Sequence, residues 1–298
     1  MGKVTALLLL CVYGALAAAQ RSFTFAYALT VKDVPAGAHI VDIWLPVPHD
    51  DPFQSITNLR VGTPYHYEIA TGAERNRILH IRVAEPQGPV MQVTVRFDAV
   101  RKEHIQPLPA APLPSDGAAA GLAGTERYLQ PDRLVPLDDT IRRWAHEVVE
   151  AAGARTDLEM ARAVYNHVAG TARTSMPSSS AMRAPWGFRP ASPSAFRCPP
   201  IAAPAKSQAI IAGPNSMRPA FGWVPVDASE AAKNPARREY FFGAHDENRI
   251  EFSEGRDVQL VPQQQGAALN YFVYPYVEVD GGKYTTVETT YSYADVPI

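Results

Sequence analysis

From Ser22 to Val31 the apolar side chains Phe23, Phe25, Tyr27, Leu29 and Val31 alternate with smaller or polar ones, the period of a strand with one face buried. Residues His39 to Leu45, Tyr65 to Ile69, Ile78 to Val83 and Met91 to Phe97 repeat the pattern. Turn signals separate them at Pro35-Ala36-Gly37, Thr71-Gly72 and Pro86-Gln87-Gly88, a spacing that suits an antiparallel sandwich. Residues 20–110 are therefore predicted to form a β-sandwich able to fold alone. Leu108 to Gly124 is rich in Pro, Ala and Gly and has no period, so residues 111–135 are assigned as a linker.

The period then changes. Asp138, Asp139 or Thr140 can cap a helix that puts Ile141, Trp144, Ala145, Val148 and Val149 on one face, with Gly153 as its stop. Thr156-Asp157-Leu158-Glu159 is a capping box, and Leu158, Ala161, Val164, Tyr165 and Val168 give a second helix its apolar stripe. Beyond Phe221 strand patterns return at Gly222 to Val226, Glu239 to Phe242, Arg249 to Phe252, Tyr271 to Val279 and Tyr284 to Tyr293, with a tight turn at Asp280-Gly281-Gly282. The order β, α, β makes the fold α+β, with residues 136–298 as a second unit following the sandwich.

Charge and composition narrow the partners. With 28 Lys+Arg against 30 Asp+Glu and no long basic run, nothing marks a nucleic acid or an anionic membrane as a partner. Lys3, the apolar Val4 to Leu16 and the small residues Ala17-Ala18-Ala19 read as a cleaved secretory signal over residues 1–19, which predicts export to the periplasm or the extracellular space. Cys11 leaves with that signal, so the mature chain holds one thiol, Cys198, and no internal disulfide. After cleavage no stable membrane insertion is expected.

One segment fits no element. Residues 175–219 carry nine prolines and no Asp or Glu, and their apolar spacing matches neither helix nor strand, so they are expected to be disordered. The run just beyond them is distinctive. Phe221-Gly222-Trp223-Val224-Pro225-Val226-Asp227-Ala228-Ser229-Glu230 resembles the strand of bacterial transglutaminase-like proteins that carries the third member of a Cys-His-Asp triad. The resemblance extends over Arg238 to Gly243, Asn248-Arg249-Ile250 and Leu269 to Val279, and upstream over Ala161 to Val168. It implies a papain-like α+β core, incomplete in the middle, with Asp227 as the orienting carboxylate.

In that family the gap holds an Asn-Cys-Thr-Asp-like run with the nucleophile and a Tyr/His-His-Cys-Trp-Ala-Glu-like run with the base. Neither is present here. The neighbouring reading frame can supply both ends. Ala209 to Pro219, entered from the last base of Gln208, can be encoded so that the shifted frame reads Gly-His-His-Cys-Trp-Ala-Glu-Phe-Tyr-Ala-Pro. Thr174 to Pro200 shifted the same way can read Phe-His-Ala-Leu-Phe-Ile-Gly and later Leu-Gly-Ile-Pro-Ala-Arg-Phe, and Thr171 to Thr174 can yield Cys-Thr-Asp-Phe. The segment from about residue 172 to 219 is thus read as frameshifted.

Thiol acyl transfer needs a thiolate, an imidazole within reach and an acceptor that fixes the imidazole's tautomer. Only the acceptor, Asp227, survives, so the chain as written is expected to be inactive. The parent activity implied by the resemblance is acyl transfer or hydrolysis on protein or peptide substrates, with no metal or organic cofactor. The alternative is a non-catalytic exported module that binds protein or cell wall. Cys198 is read as a chance thiol, His167 as a packing residue, and His245-Asp246-Glu247 as a solvated turn. Ser229 lacks the Gly-x-Ser-x-Gly elbow of a serine hydrolase. Without the lost middle, Leu158, Val164, Trp223 and Val226 are expected to be partly uncovered and the protein poorly soluble.

Overall fold

The alternating residues of the N-terminal segment form β1 (Gln20–Val31), whose Phe23, Phe25, Tyr27, Leu29 and Val31 are all buried. The computed structural model describes residues 18–108, 130–133, 137–174 and 224–296. Residues 1–17 of the expected signal, most of the expected linker, the segment 175–219, Cys198 and Trp223 lie outside the described residues. Strands β2 (Ile40–Val47), β4 (Tyr67–Thr71), β5 (Arg77–Ala84) and β6 (Met91–Lys102) form within a few residues of their predicted places. Strand β3 (Gln54–Gly62) was not foreseen. Its pairing with β6 shifts register between Thr57 and Arg60, so its apolar residues do not alternate cleanly.

Two antiparallel sheets result. One has the order β11-β1-β6-β3 and the other β10-β9-β2-β5-β4, where β9 is Tyr276–Val279, β10 is Gly282–Lys283 and β11 is Val287–Asp295. The inner faces share one apolar cluster, from Phe25, Leu29, Val95 and Phe97 on the first sheet to Ile43, Leu45, Leu79 and Ile81 on the second. Hydroxyl donation from Tyr27 to the Pro46 carbonyl at 2.6 Å stitches the sheets together.

The strand pairing corrects the expected division of the chain. β11 pairs with β1 from Phe23↔Asp295 to Val31↔Val287, and β9 pairs with β2 from Val41↔Val279 to Trp44↔Tyr276. The last strands therefore complete the sandwich and do not belong to a separate 136–298 core. Asp280 and Gly281, both at positive φ, make the two-residue hairpin loop between β9 and β10, as their sequence predicts. The Asp280 carboxylate also accepts the His39 and Ile40 amides, fixing the turn to β2. The coil around Ile250 and Phe252 adds to the shared core, and Phe252 meets Phe25, Tyr27 and Phe97 edge-on at 6.0 to 6.2 Å. Residues 249–252 are thus a core plug, not the predicted strand.

The outer face of the second sheet is covered as well. Trp44 packs with Ile78, Val258, Leu260, Phe272 and Tyr276 in a cluster built from the 258–276 loop. Glu278, almost fully buried, accepts the Gln265 and Gly266 amides and the Tyr276 hydroxyl, which anchors that loop to β9.

The helical part contains α1 (Asp139–Ala151), α2 (Asp157–Thr174) and the short α3 (Ala228–Lys233). Asp138 caps α1 by accepting the Ile141 amide, and Gly153 takes positive φ just past its end. The capping box of α2 forms as its sequence predicts: Glu159 accepts the Thr156 amide and Thr156 Oγ1 accepts the Glu159 amide. Ala161, Tyr165 and Ala169 of α2 pack on Val226, Ala231, Phe241 and Phe242. Val226 is therefore covered, contrary to expectation, whereas Leu158 and Val164 of α2 are half-buried as expected; Trp144 of α1 is half-buried as well. Residues 239–242 are turn and bridge in place of the predicted strand.

Short backbone contacts join this part to the sandwich. β7 (His104–Ile105) pairs with β8 (Ala244–His245), and the Gln106 amide donates to the Gly243 carbonyl. Gly243 sits at φ +122°, and a Cβ there would meet the Gln106 carbonyl at 3.3 Å, so the contact requires glycine.

Removing residues beyond 110 strips β11 from one edge of the sandwich and β9 from the other, and removes Ile250, Phe252, Val273 and Val277 from its core. Residues 20–110 produced alone are accordingly expected to show no cooperative urea transition. A sharp transition in circular dichroism would contradict this.

Candidate functional site

Asp227 stands where the segment from Val224 leaves its bridge with Phe242 and enters α3. Two fixed donors hold its carboxylate. Oδ1 accepts the Glu230 amide at 2.8 Å, capping α3, and Oδ2 accepts Arg249 Nη1 at 2.8 Å. A carboxylate has about four lone-pair sites, so capacity remains for a further donor such as an imidazole N–H.

Arg249 is the hub. Buried to 8% exposure, it also donates through Nε and Nη2 to Asp246 Oδ1, while Asp246 Oδ2 takes Arg237 at 3.3 Å. Burial alone would raise the Asp246 carboxyl, but Arg249 together with Arg237 and Asn248 outweighs it and holds the group below the usual carboxylate range. Beside this network lies His245, whose Nε2 is 3.5 Å from the Val226 carbonyl and whose ring meets His104 edge-on. Desolvation, reinforced by the Arg249 charge, pushes its imidazole down to about 3, so His245 is neutral at ordinary pH. His245 and Asp246 are buried, which corrects the expectation of a solvated turn.

Aromatic groups close the surroundings. The Tyr165 hydroxyl donates to the Arg238 carbonyl, and burial followed by the Asp227 charge raises its pKa. Tyr240 donates to Glu103, and Arg237 lies over the Tyr240 ring at 4.1 Å. Arg101, buried at the end of β6, pairs with Asp51 at 3.2 Å and adds a positive charge that disfavours protonation of His245.

The other residues singled out from sequence do not converge here. His167 packs edge-on against Trp144 at 5.1 Å, a packing role as expected. Ser229 is exposed on α3. Cys198 lies outside the described residues. Sequence reasoning placed Arg249 only at a strand start and missed it as the partner of Asp227. The local signal was an arginine three residues after an aspartate, in a charged stretch that does not by itself say which carboxylates the arginine meets. A surface depression of about 430 Å³ lined by Asp42, Trp44, Arg82, Gln265 and Glu278 includes no member of this cluster.

No family model matches this chain. Over 74 residues it is 39% identical to an uncharacterised protein of Haemophilus influenzae, a match covering 20% of each protein. Among solved structures, 51% of the chain aligns with 50% of a candidate cysteine protease from Cytophaga hutchinsonii, at 12% identity and a TM-score of 0.36. The matches thus span a fifth of the Haemophilus protein's length and half of the Cytophaga chain.

Removing the hub leaves two carboxylates facing each other without their shared cation. Arg249→Met is expected to cost about 3–5 kcal/mol in urea unfolding, and a loss below about 1 kcal/mol would contradict the pairing. His245 gives a separate pH signature. Its folded pKa lies below the unfolded value of about 6.5, so the unfolded chain binds the proton first and stability falls as pH drops from about 6.5 toward 3. Asp246 adds its loss only below about pH 4. His245→Gln should flatten the decline in melting temperature between about pH 6.5 and 4.5. An unchanged slope would show that His245 is not held neutral.

Proposed function

We propose that this is an exported transglutaminase-like protein with a degenerate active site. Its parent activity is thiol-based acyl transfer or hydrolysis on protein or peptide substrates. The observation that carries this reading is the Asp227 carboxylate, fixed by α3 and Arg249 with acceptor capacity left over. It belongs to a chain that has no cysteine or histidine run to use it.

In the parent reaction an imidazole takes the thiol proton. The thiolate attacks the substrate carbonyl and forms a thioester, and the imidazole returns the proton to the leaving amine. A second amine or water then releases the acyl group. Asp227 would accept the imidazole N–H, hold its tautomer and stabilise the cation formed between the two steps. Alone it supplies neither nucleophile nor base, and a unit that acts together loses nearly all its effect when those members are gone. His245 does not replace the base, because it is buried and held neutral.

Export rests on Lys3, the apolar Val4 to Leu16 and Ala17-Ala18-Ala19. No described helix is long and apolar enough to cross a membrane. The near balance of charge supports a protein or peptide substrate over a nucleic acid.

The test compares the chain beginning at Gln20 with a counterpart whose segment 172–219 is rewritten in the neighbouring frame. Each is incubated with an unfolded protein substrate and a fluorescent primary amine, and both labelled product and hydrolysis are followed. The chain as given is expected to stay at background. The rewritten chain is expected to turn over, and Asp227→Asn in it to lower the rate by on the order of 10⁴. Turnover by the chain as given, or a rewritten chain indifferent to Asp227→Asn, would contradict the reading.

A further inference from the structure

We infer that His49, Glu251 and Glu254 form a binding site for a divalent transition metal ion of borderline softness, such as Zn²⁺, that clasps the C-terminal half of the chain to the sandwich. The donor atoms of these three residues all lie within 4.8 Å of one another. His49, just past the end of β2, is 6% exposed, and neither of its ring nitrogens has a hydrogen-bond partner. A buried imidazole without a partner forgoes the hydrogen bonds it makes in water, which is costly unless something else occupies it. Its Nε2 faces the Glu254 carboxylate at 3.8 Å. A tetrahedral ion with bonds of about 2.0–2.1 Å holds its donors about 3.4 Å apart, so only a small contraction of the cluster would complete the coordination.

The backbones of all three residues are already held in place. The buried Gln54 donates to the carbonyls of both His49 and Glu251 and accepts the Glu251 amide. Asn76, also buried, accepts the Glu254 amide and donates to its carbonyl. Two buried amide side chains thus fix segments about two hundred residues apart so that their side chains converge, the support that metal sites need around their ligands. Arg75 lies 3.8 Å from Glu254 but is mostly exposed, so it can swing away when an ion enters.

One imidazole with two carboxylates suits Zn²⁺ and its neighbours over Ca²⁺, which prefers six or more oxygens. The inference is independent of the acyl-transfer reading, since it uses none of the Asp227 cluster.

The test uses the chain from Gln20 after chelator treatment, titrated with Zn²⁺ alone by calorimetry, with metal content and melting temperature measured in parallel. Uptake near one ion per chain with a higher melting temperature is expected. As direct ligands, His49→Ala and Glu254→Gln should each weaken binding by more than the roughly tenfold to hundredfold loss typical of an outer-shell partner. Because Glu254 is partly exposed, its variant keeps the test valid if His49→Ala fails to fold. Failure to take up Zn²⁺, equal uptake by the variants, or Ca²⁺ displacing Zn²⁺ at equal concentration would overturn the site. The first of these would leave His49 and Glu254 as a simple ion pair.

Discussion

The structure depends on the double pairing of β1. This strand is hydrogen-bonded along its length to β6 on one side and to β11 on the other, so the described chain's first and last strands are neighbours in one sheet. Every inward residue of β1 is buried, and its Phe25 stacks on Phe97 of β6 and meets Phe252 from the C-terminal coil edge-on. Closing the ends of the chain in this way carries a large loop-entropy cost that only a shared core can offset. The sandwich is therefore not a module appended to a catalytic unit. Its own completion fixes where residues 244–295 lie.

Fixing that segment also positions the chemistry. Phe252 plugs the sandwich core, and the residues around it fall into two polar clusters. Toward the helices, Asp246 and Arg249 meet Asp227 at the start of α3. Toward β2, Glu251 and Glu254 meet His49. Both clusters contain buried charges, which are stable only when paired or coordinated. A single stretch of coil thus links the core, the Asp227 carboxylate and the proposed metal clasp.

How much of this was legible depends on physical range. The period-two run of β1, the capping box of α2 and the Asp280-Gly281 turn are encoded in neighbouring residues, and each formed where its residues indicated. β3 was missed because its bulge breaks the alternation, and the stretch at 249–252 was misread because alternating apolar residues also suit a coil buried on one side. The partition between sandwich and core failed because strand partners are chosen at a distance. Nothing in Val287 to Asp295 says that its neighbour is β1. The site divided in the same way. Asp227 was singled out through its resemblance to a family strand, whereas the contacts of Arg249, His245 and His49 come from residues elsewhere along the chain and leave no local mark.

The central claim is that Asp227 is the preserved member of a triad whose other members were lost to a shift of frame. The most direct measurement is the coding DNA itself, read on both strands across codons 160 to 230. The account predicts that a one-base offset over the span of residues 172–219 recovers a cysteine run and a Gly-His-His-Cys-Trp-Ala-Glu run. A confirmed frame whose neighbouring frame encodes neither would contradict it and leave Asp227 as no more than the cap of α3 and the partner of Arg249.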